Sequence, residues 1–318
     1  MYHRETRFFT AKAKPFVKWV GGKRQLLSEI ATEVSPLMCD RGITRYAEPF
    51  VGGGAVLFWI LENFPQIRQA IINDINPDLT MAYMTIRDNV GDLILTLVEL
   101  QAEYHALTSH DAEQEYFYRK RERYNSKRLD PVENTALFIF LNRTCFNGLY
   151  RVNAKGEFNV PCGRYSKPQI CDSATLLTDS TLLQKVEILT GDFAAMETFA
   201  SDETLFYIDP PYKPLTATSS FNSYAKEVFG DPDQIRLKEF CDRIDLRGSS
   251  WILSNSDVRS NDPANDFFDA LFSEYNIKRV WASRSVNANP EKRGRLTEIM
   301  VLNTGRNKFP EKYMVVAQ

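Results

Sequence analysis

Histidine is scarce in this chain, with three in 318 residues, His3, His105 and His110. They fall into no metal-ligand spacing, so no metal site is expected. The five cysteines, Cys39, Cys145, Cys162, Cys171 and Cys241, are odd in number, scattered and never spaced as CxxC. That pattern excludes a disulfide framework and a cysteine-held zinc, and fits reduced thiols in a cytoplasm. No run approaches the ~20 apolar residues needed to cross a bilayer, so no membrane partner is expected. The opening MYHRETRFFTAKAKPF is basic but has no apolar stretch, and it does not read as a secretory signal. Repeats and low-complexity segments are also missing.

What is present is an ordinary globular composition, 43% hydrophobic and 25% charged, on a chain long enough for a large core and a smaller appended domain. The net charge of -2 does not announce a nucleic-acid binder, but charge is unevenly placed. Residues 119–128 read RKRERYNSKR, six basic against one acidic. From Arg143 to Lys167 the chain carries Arg143, Arg151, Lys155, Arg164 and Lys167 against Glu157. Such runs serve equally as solvated helix faces or as a footprint for phosphates.

Periodicity predicts two α/β segments around a different region. GKRQLLSEIATEV reads as a helix after a Gly-Gly turn, RYAEPF as a strand, AVLFWILENF as a helix and QAIINDINP as a second strand. Strand, glycine turn, helix and strand in that order begin a Rossmann-like parallel sheet. Residues 86–140 turn helical and charged, and 142–170 become irregular, rich in Asn, Gly, Arg and aromatics, like a recognition surface. Strands return at VEILTGDF, TLFYIDPPY, SSWILSNS and EIMVLN, with PDQIRLKEFCDRI helical between them. The simplest architecture is one α/β sheet interrupted by a helical insertion.

Three constellations carry chemistry. Glu48-Pro49-Phe50-Val51-Gly52-Gly53-Gly54 follows a predicted strand, and its glycines let backbone approach a ligand closely, although a plain tight turn uses the same residues. Asp74 ends the next strand, where α/β nucleotide sites hold ribose hydroxyls; a carboxylate there disfavours a phosphate-bearing ligand and suits the adenosine of S-adenosylmethionine. Asp74 also reads as a helix N-cap, with Asn76-Pro77 starting the next helix. Asp209-Pro210-Pro211-Tyr212 ends TLFYI in a rigid turn. An exocyclic amino nitrogen is a poor nucleophile because its lone pair is delocalised. A carboxylate and a fixed carbonyl that accept its hydrogens would favour the pyramidal form, while an aromatic ring stacks on the base. Alignment and desolvated electrostatics of this kind supply roughly 7–11 kcal/mol. Lys18-Trp19-Val20-Gly21-Gly22-Lys23 could pack over a nucleoside, or Trp19 could simply anchor the N-terminus.

Together, and in this order, these elements resemble the Dam family of adenine-N6 methyltransferases, the alpha-ordered amino-methyltransferases, and within it the DpnII-type modification enzymes that act on GATC. The resemblance runs from about Pro15 to Asn303 and includes FNGLYRVN and GEFNVPCGRY. It implies a discontinuous catalytic methyltransferase domain over 15–85 and 171–310, and a target-recognition DNA-binding insertion over 86–170. It implies an S-adenosylmethionine site of Trp19, Lys23, Phe50, Gly52, Gly54, Asp74, Asp192, Phe193 and Asp209, and catalysis by Asp209, Pro210, Pro211 and Tyr212. Double-stranded DNA would meet Lys18, Arg119, Phe146, Asn147, Leu149, Arg151, Pro161 and Arg164. In that scheme Arg151 reads a guanine through O6 and N7, Leu149 and Pro161 touch a thymine methyl, Lys18 reaches the outer guanine, and Asn147 and Arg164 meet bases or phosphates. Phe146 stands where many relatives carry Tyr, and keeps the stacking surface without the hydroxyl. Base flipping is implied, because the adenine amino group is out of reach inside the duplex. The resemblance further implies a cytoplasmic, bacterial or phage-encoded enzyme associated with the nucleoid through DNA. A cognate restriction endonuclease would act on the same site without a stable complex. The competing enzyme reading is methylation of cytosine N4 or an RNA adenine. The competing non-enzyme reading is a silent DNA-binding regulator, against which the intact Asp209–Tyr212 and cofactor residues argue.

Overall fold

Helix starts are written into this chain as polar–proline steps. Asn76-Pro77 opens α3 (Pro77–Asp88), where the Asn76 side chain accepts from the N–H groups of Asp78 and Leu79. Asp130-Pro131 opens α6 (Pro131–Thr144) in the same way, capping Val132 and Glu133. Each cap satisfies donors the helix cannot, and the proline sits where no N–H is needed. Asn76 therefore holds the cap that the sequence also allowed for Asp74.

The computed structural model describes residues 11–213, 229–283 and 295–304, which divide into two compact units. His3 and the end of the expected catalytic stretch, 305–310, lie outside them.

The first unit holds 11–27 and 50–195. Its strands β2 (Gln69–Asp74) and β3 (Val186–Thr190) pair in parallel, from Ala70 opposite Val186 to Asp74 opposite Thr190. The glycine turn leads into α2 (Ala55–Asn63). The charged stretch forms α4 (Val90–His105) and α5 (His110–Asn125), and α7 (Ser173–Leu183) precedes β3. Helix α6 is the hub. Residues Asn134–Asn142 are buried on every side of it, and α3, α4 and α5 all pack against it. A helix apolar all round belongs in an interior, as here. Residues 145–170 carry little regular structure, with a short turn at Phe146–Gly148 and two antiparallel bridges, Cys145 with Cys162 and Val152 with Phe158.

The second unit holds 28–49, 196–213, 229–283 and 295–304. Its strands run in the order β1 (Arg45–Glu48), β4 (Thr204–Ile208), β5 (Ser250–Ser256), β7 (Arg295–Leu302) and β6 (Asn276–Ser283). The β1–β4 and β4–β5 pairs are parallel, whereas β5–β7 and β6–β7 are antiparallel. Every residue of β4 and β5 is buried, as expected of central strands in a parallel sheet. Around this sheet stand α1 (Leu27–Asp40), α8 (Asp231–Leu246) and the short α9 (Phe267–Leu271). Strand β6 has no counterpart among the predicted elements. Its Lys278, Arg279 and exposed Trp281 hide the apolar alternation, because β6 ends the strand order.

The architecture is mixed α/β with seven strands among the described residues, mostly parallel, in line with the α/β expectation. No helix among them is long and apolar enough to cross a membrane.

Candidate active site

In the first unit the expected cofactor residues gather at the C-terminal ends of β2 and β3. The glycine turn is fastened to β2: Val51 N–H donates to the Asn73 carbonyl at 3.0 Å, and Gly52 N–H donates to Asp74 Oδ2 at 3.0 Å. The other Asp74 oxygen accepts from Asn76 N–H at 2.9 Å. Burial pushes the Asp74 carboxyl above its ordinary range, and the N–H groups of Asn76, Gly52 and Ile75 offset that only in part. The β3 end is tied in by Gly191 N–H, which donates to the Asp74 carbonyl at 3.1 Å, and by Asn73 Nδ2, which donates to the Gly191 carbonyl at 2.9 Å. Next in the chain, Asp192 is exposed and caps Ala194 N–H, while Phe193 is buried with its ring 5.3 Å from that of Phe50.

Trp19 lies on the glycine turn. A Cβ at Gly52 would stand 3.0 Å from its Cδ1, and one at Gly53 would stand 3.0 Å from its Cβ. Its ring also stacks on Tyr150 at 5.6 Å. Trp19 is thus a packed neighbour of the turn, in keeping with the anchoring role that the sequence left open. Lys23, 7% exposed, directs Nζ toward the Gly21 carbonyl at 3.4 Å. Tyr83 was not signalled by the sequence, yet its hydroxyl donates to the Gly52 carbonyl at 2.9 Å and fills the space beside Gly54.

In the second unit the chain leaves buried β4 at Asp209, and Pro210 is buried while Pro211 is exposed. The Tyr212 hydroxyl donates to Glu298 Oε2 at 2.6 Å, and the Tyr46 hydroxyl donates to Glu48 Oε2 at 2.9 Å. Burial drives the Tyr212 and Tyr207 hydroxyls well above their ordinary pKa, and the Asp209 carboxylate adds to the rise in both. Three carboxylates and three phenols therefore share the end of β1, β4 and β7. Glu298, Gln234 and Asn255 were not signalled by the sequence, because each reaches the turn from a distant element.

The expected DNA residues form a second group in the first unit. Asn142 organises it: its Oδ1 accepts from Lys18 N–H at 2.8 Å, and its Nδ2 donates to the carbonyls of Lys18 and Gly148, both at 2.9 Å. The Lys18 stem fills the space over Gly148, where a Cβ would come within 2.3 Å of Lys18 Cδ, and Nζ stands 4.8 Å from the Tyr165 ring centroid. Phe146 is 53% exposed, and its N–H donates to the Pro161 carbonyl at 2.9 Å. Asn147 follows at φ 56°, a left-handed conformation that asparagine tolerates, and Leu149 N–H closes the turn onto the Phe146 carbonyl. Arg151 donates from Nε to Asn159 Oδ1 at 2.6 Å and from Nη2 to the Asn159 carbonyl at 3.2 Å. Arg164 and Pro161 are exposed. Arg119 lies against Tyr116 on α5, which meets the loop through Arg121 and Asn125 instead. The basic run is partly neutralised within the protein, by Lys120 with Glu103, Arg123 with Glu133 and Lys127 with Asp78. Arg143 is turned inward, donating to the Phe16 carbonyl at 2.7 Å. No cluster of candidate metal ligands occurs among the described residues.

Residues 19–286 match a family model described as D12 class N6 adenine-specific DNA methyltransferase. Among curated proteins, the chain is 45% identical over 296 residues to a type II methyltransferase, M.MjaIII, of Methanocaldococcus jannaschii, covering 92% of this chain and 99% of that one. It is 39% identical to the type II methyltransferase M1.LlaDCHI of Lactococcus lactis subsp. cremoris, covering 92% and 96%. It is 31% identical to the DNA adenine methylase of Escherichia coli K12, covering 92% and 95%.

Proposed function

The chain belongs to the D12 class of N6 adenine-specific DNA methyltransferases, and from that premise we propose that it methylates a flipped adenine within GATC. The reaction moves a methyl group from S-adenosylmethionine to adenine N6 in DNA. In the proposed arrangement, Asp74 takes the ribose hydroxyls, Phe50 and Phe193 border the adenine of the cofactor, and Trp19, Lys23, Gly52, Gly54, Asp192 and Asp209 complete its pocket. Gly52 and Gly54 keep this turn tight, because the space a Cβ would take is filled by Trp19 and by Tyr83. When bound, S-adenosylmethionine supplies an electrophilic sulfonium methyl.

Asp209 and the Pro210-Pro211 turn accept hydrogens from the target amino group, and Tyr212 stacks on the extruded base. Burial, reinforced by the carboxylates of Asp209 and Glu298, keeps the Tyr212 hydroxyl protonated, so the ring acts as a neutral platform rather than an acid. Residues 86–170 form the recognition insertion. There Asn147, Leu149, Arg151, Pro161 and Arg164 meet DNA, joined by Lys18 from the N-terminal segment, Phe146 fills the place the base leaves, and Arg119 meets phosphates. The enzyme works in the cytoplasm, with an endonuclease of the same specificity as its natural counterpart.

The observation that carries the reading is the Phe146–Asn159 loop, where an exposed aromatic and a braced guanidinium stand on one short ladder. Asn159 holds Nε and one bond of Nη2, which leaves the outer end of the guanidinium fork for guanine O6 and N7. Methylated adenines mapped across the genome of a methylation-free host expressing the chain should fall in GATC; a different motif would overturn the assignment. Arg151→Ala should relax discrimination at one guanine by about 1–3 kcal/mol, read from kcat/KM on single-substituted duplexes. Uniform weakening on all duplexes would make Arg151 a phosphate contact.

A further inference from the structure

The Asp209–Tyr212 turn includes two residues without a backbone N–H, so the ladder that usually holds a strand end lacks donors there. Four of its torsions are set locally all the same. The pyrrolidine rings fix φ of Pro210 and Pro211, and a following proline keeps ψ of Asp209 and of Pro210 in the extended range. Local chemistry leaves ψ of Pro211 open, and that torsion decides where Tyr212 goes.

A buried amide stands at that torsion. Gln234, on the first turn of α8 and 1% exposed, donates from Nε2 to the Pro211 carbonyl at 3.2 Å. Its Oε1 accepts from Nδ2 of Asn255, a fully buried residue near the end of β5, at 3.1 Å. Asn255 Oδ1 accepts in turn from Lys213 N–H at 3.4 Å and from Ser256 N–H at 2.8 Å. The Ser256 hydroxyl donates to the Lys213 carbonyl at 2.8 Å. Residues 211–213 are thus gripped at both ends by neutral groups from two separate elements. Neutrality has a reason here. The turn already lies among the carboxylates of Glu48, Asp209 and Glu298, and an amide can donate to a carbonyl without altering that field.

We propose that Gln234 and Asn255 are positioning residues for methyl transfer, an amide relay that fixes ψ of Pro211 and so aims Tyr212 and the carbonyls of the turn. The inference rests on the assignment of catalysis to Asp209–Tyr212. The relay touches neither substrate nor cofactor; it acts through the backbone of the turn.

The test uses the full chain, labelled S-adenosylmethionine and genomic DNA lacking methylated adenine, so that it does not depend on the recognition sequence. Single-turnover rates are read alongside KM for DNA, cofactor affinity and thermal midpoint. Gln234→Met keeps the volume and removes the donor. Its rate should fall at least about tenfold, as for a displaced reacting geometry, with KM and affinity little changed. Gln234→Glu keeps the acceptor for Asn255 and loses the donor to Pro211, so it should show the same loss near neutral pH. Lowering the pH protonates that carboxyl and restores an O–H donor, so part of the rate relative to wild type should return. A structural role would not produce that recovery, and the pH profile of Gln234→Glu decides the matter if Gln234→Met fails to fold. Wild-type rates in the folded variants, or a loss matched in affinity and without acid recovery, would overturn the relay. Asp209→Ala separates the two readings. Turnover in that variant would remove the catalytic assignment, whereas its inactivity beside normal Gln234 variants would remove the relay alone.

Discussion

Asp179 is a carboxyl that water does not reach. It lies in the middle of α7, with Oδ1 accepting from Lys14 N–H at 3.2 Å and Oδ2 buried without a hydrogen-bond partner. Burial pushes it up to about 8; the Lys14 N–H lowers it, and Asp172 and Glu62 raise it further. A carboxyl whose pKa is raised by folding favours the folded state below its unfolded pKa, near 4, and loses that contribution as pH climbs toward 8. Asp179→Asn should therefore change stability little at pH 4 and stabilise by on the order of a few kcal/mol at pH 8. Urea unfolding at both values checks this, and an equal effect at the two pH values would contradict it. In SATLLTDSTLL this aspartate looks like any polar helix residue, since burial is decided by what packs on it. Asp74 differs, because its place after a strand and before Asn-Pro marks it in the chain itself.

At the scale of elements, the glycine turn is where sequence and packing agree. Gly54 adopts φ 74°, and a Cβ there would stand 2.4 Å from the Tyr83 hydroxyl. Gly54→Ala therefore meets two penalties, the left-handed backbone at about 1–2 kcal/mol and overpacking at about 1–3 kcal/mol. Thermal unfolding should show the sum, and cofactor affinity should fall with it. Adding Tyr83→Phe removes the hydroxyl, so the double variant should recover the overpacking part and keep the backbone part; full recovery would mean that the backbone conformation costs nothing. The strand–glycine–helix order and the Asn76-Pro77 start were legible because each is a local rule. Strand β6 was not, since a strand paired on one side presents charge and Trp281 outward and loses its apolar signature.

For the whole molecule, the net charge of -2 says little about DNA affinity, and the distribution of partners says more. On α5, Arg123 is bound by both oxygens of Glu133 at 2.7 Å, whereas Arg119 rests on the face of Tyr116, 5.3 Å from its centroid. If α5 follows the phosphate backbone, Arg119→Ala should reduce the slope of log affinity against log salt by about 0.9, the value for one phosphate contact. Arg123→Ala should reduce it less, because its charge is already compensated. Salt titrations of duplex binding measure both, and equal slopes would show that the Glu133 pair opens on DNA.

The chain by itself determined the α/β class, the starts of its helices and the identity of its chemical motifs, because these depend on neighbours within a few residues. The Asp209–Tyr212 carboxylate, prolines and ring are of that kind. Tertiary structure alone decided what surrounds them. Glu298 meets Tyr212 from 86 residues away, Gln234 reaches Pro211 from 23 away, and Asn142 holds Lys18 from 124 away. Such pairings come from the folding of distant elements onto one another, and no local pattern in the sequence encodes them.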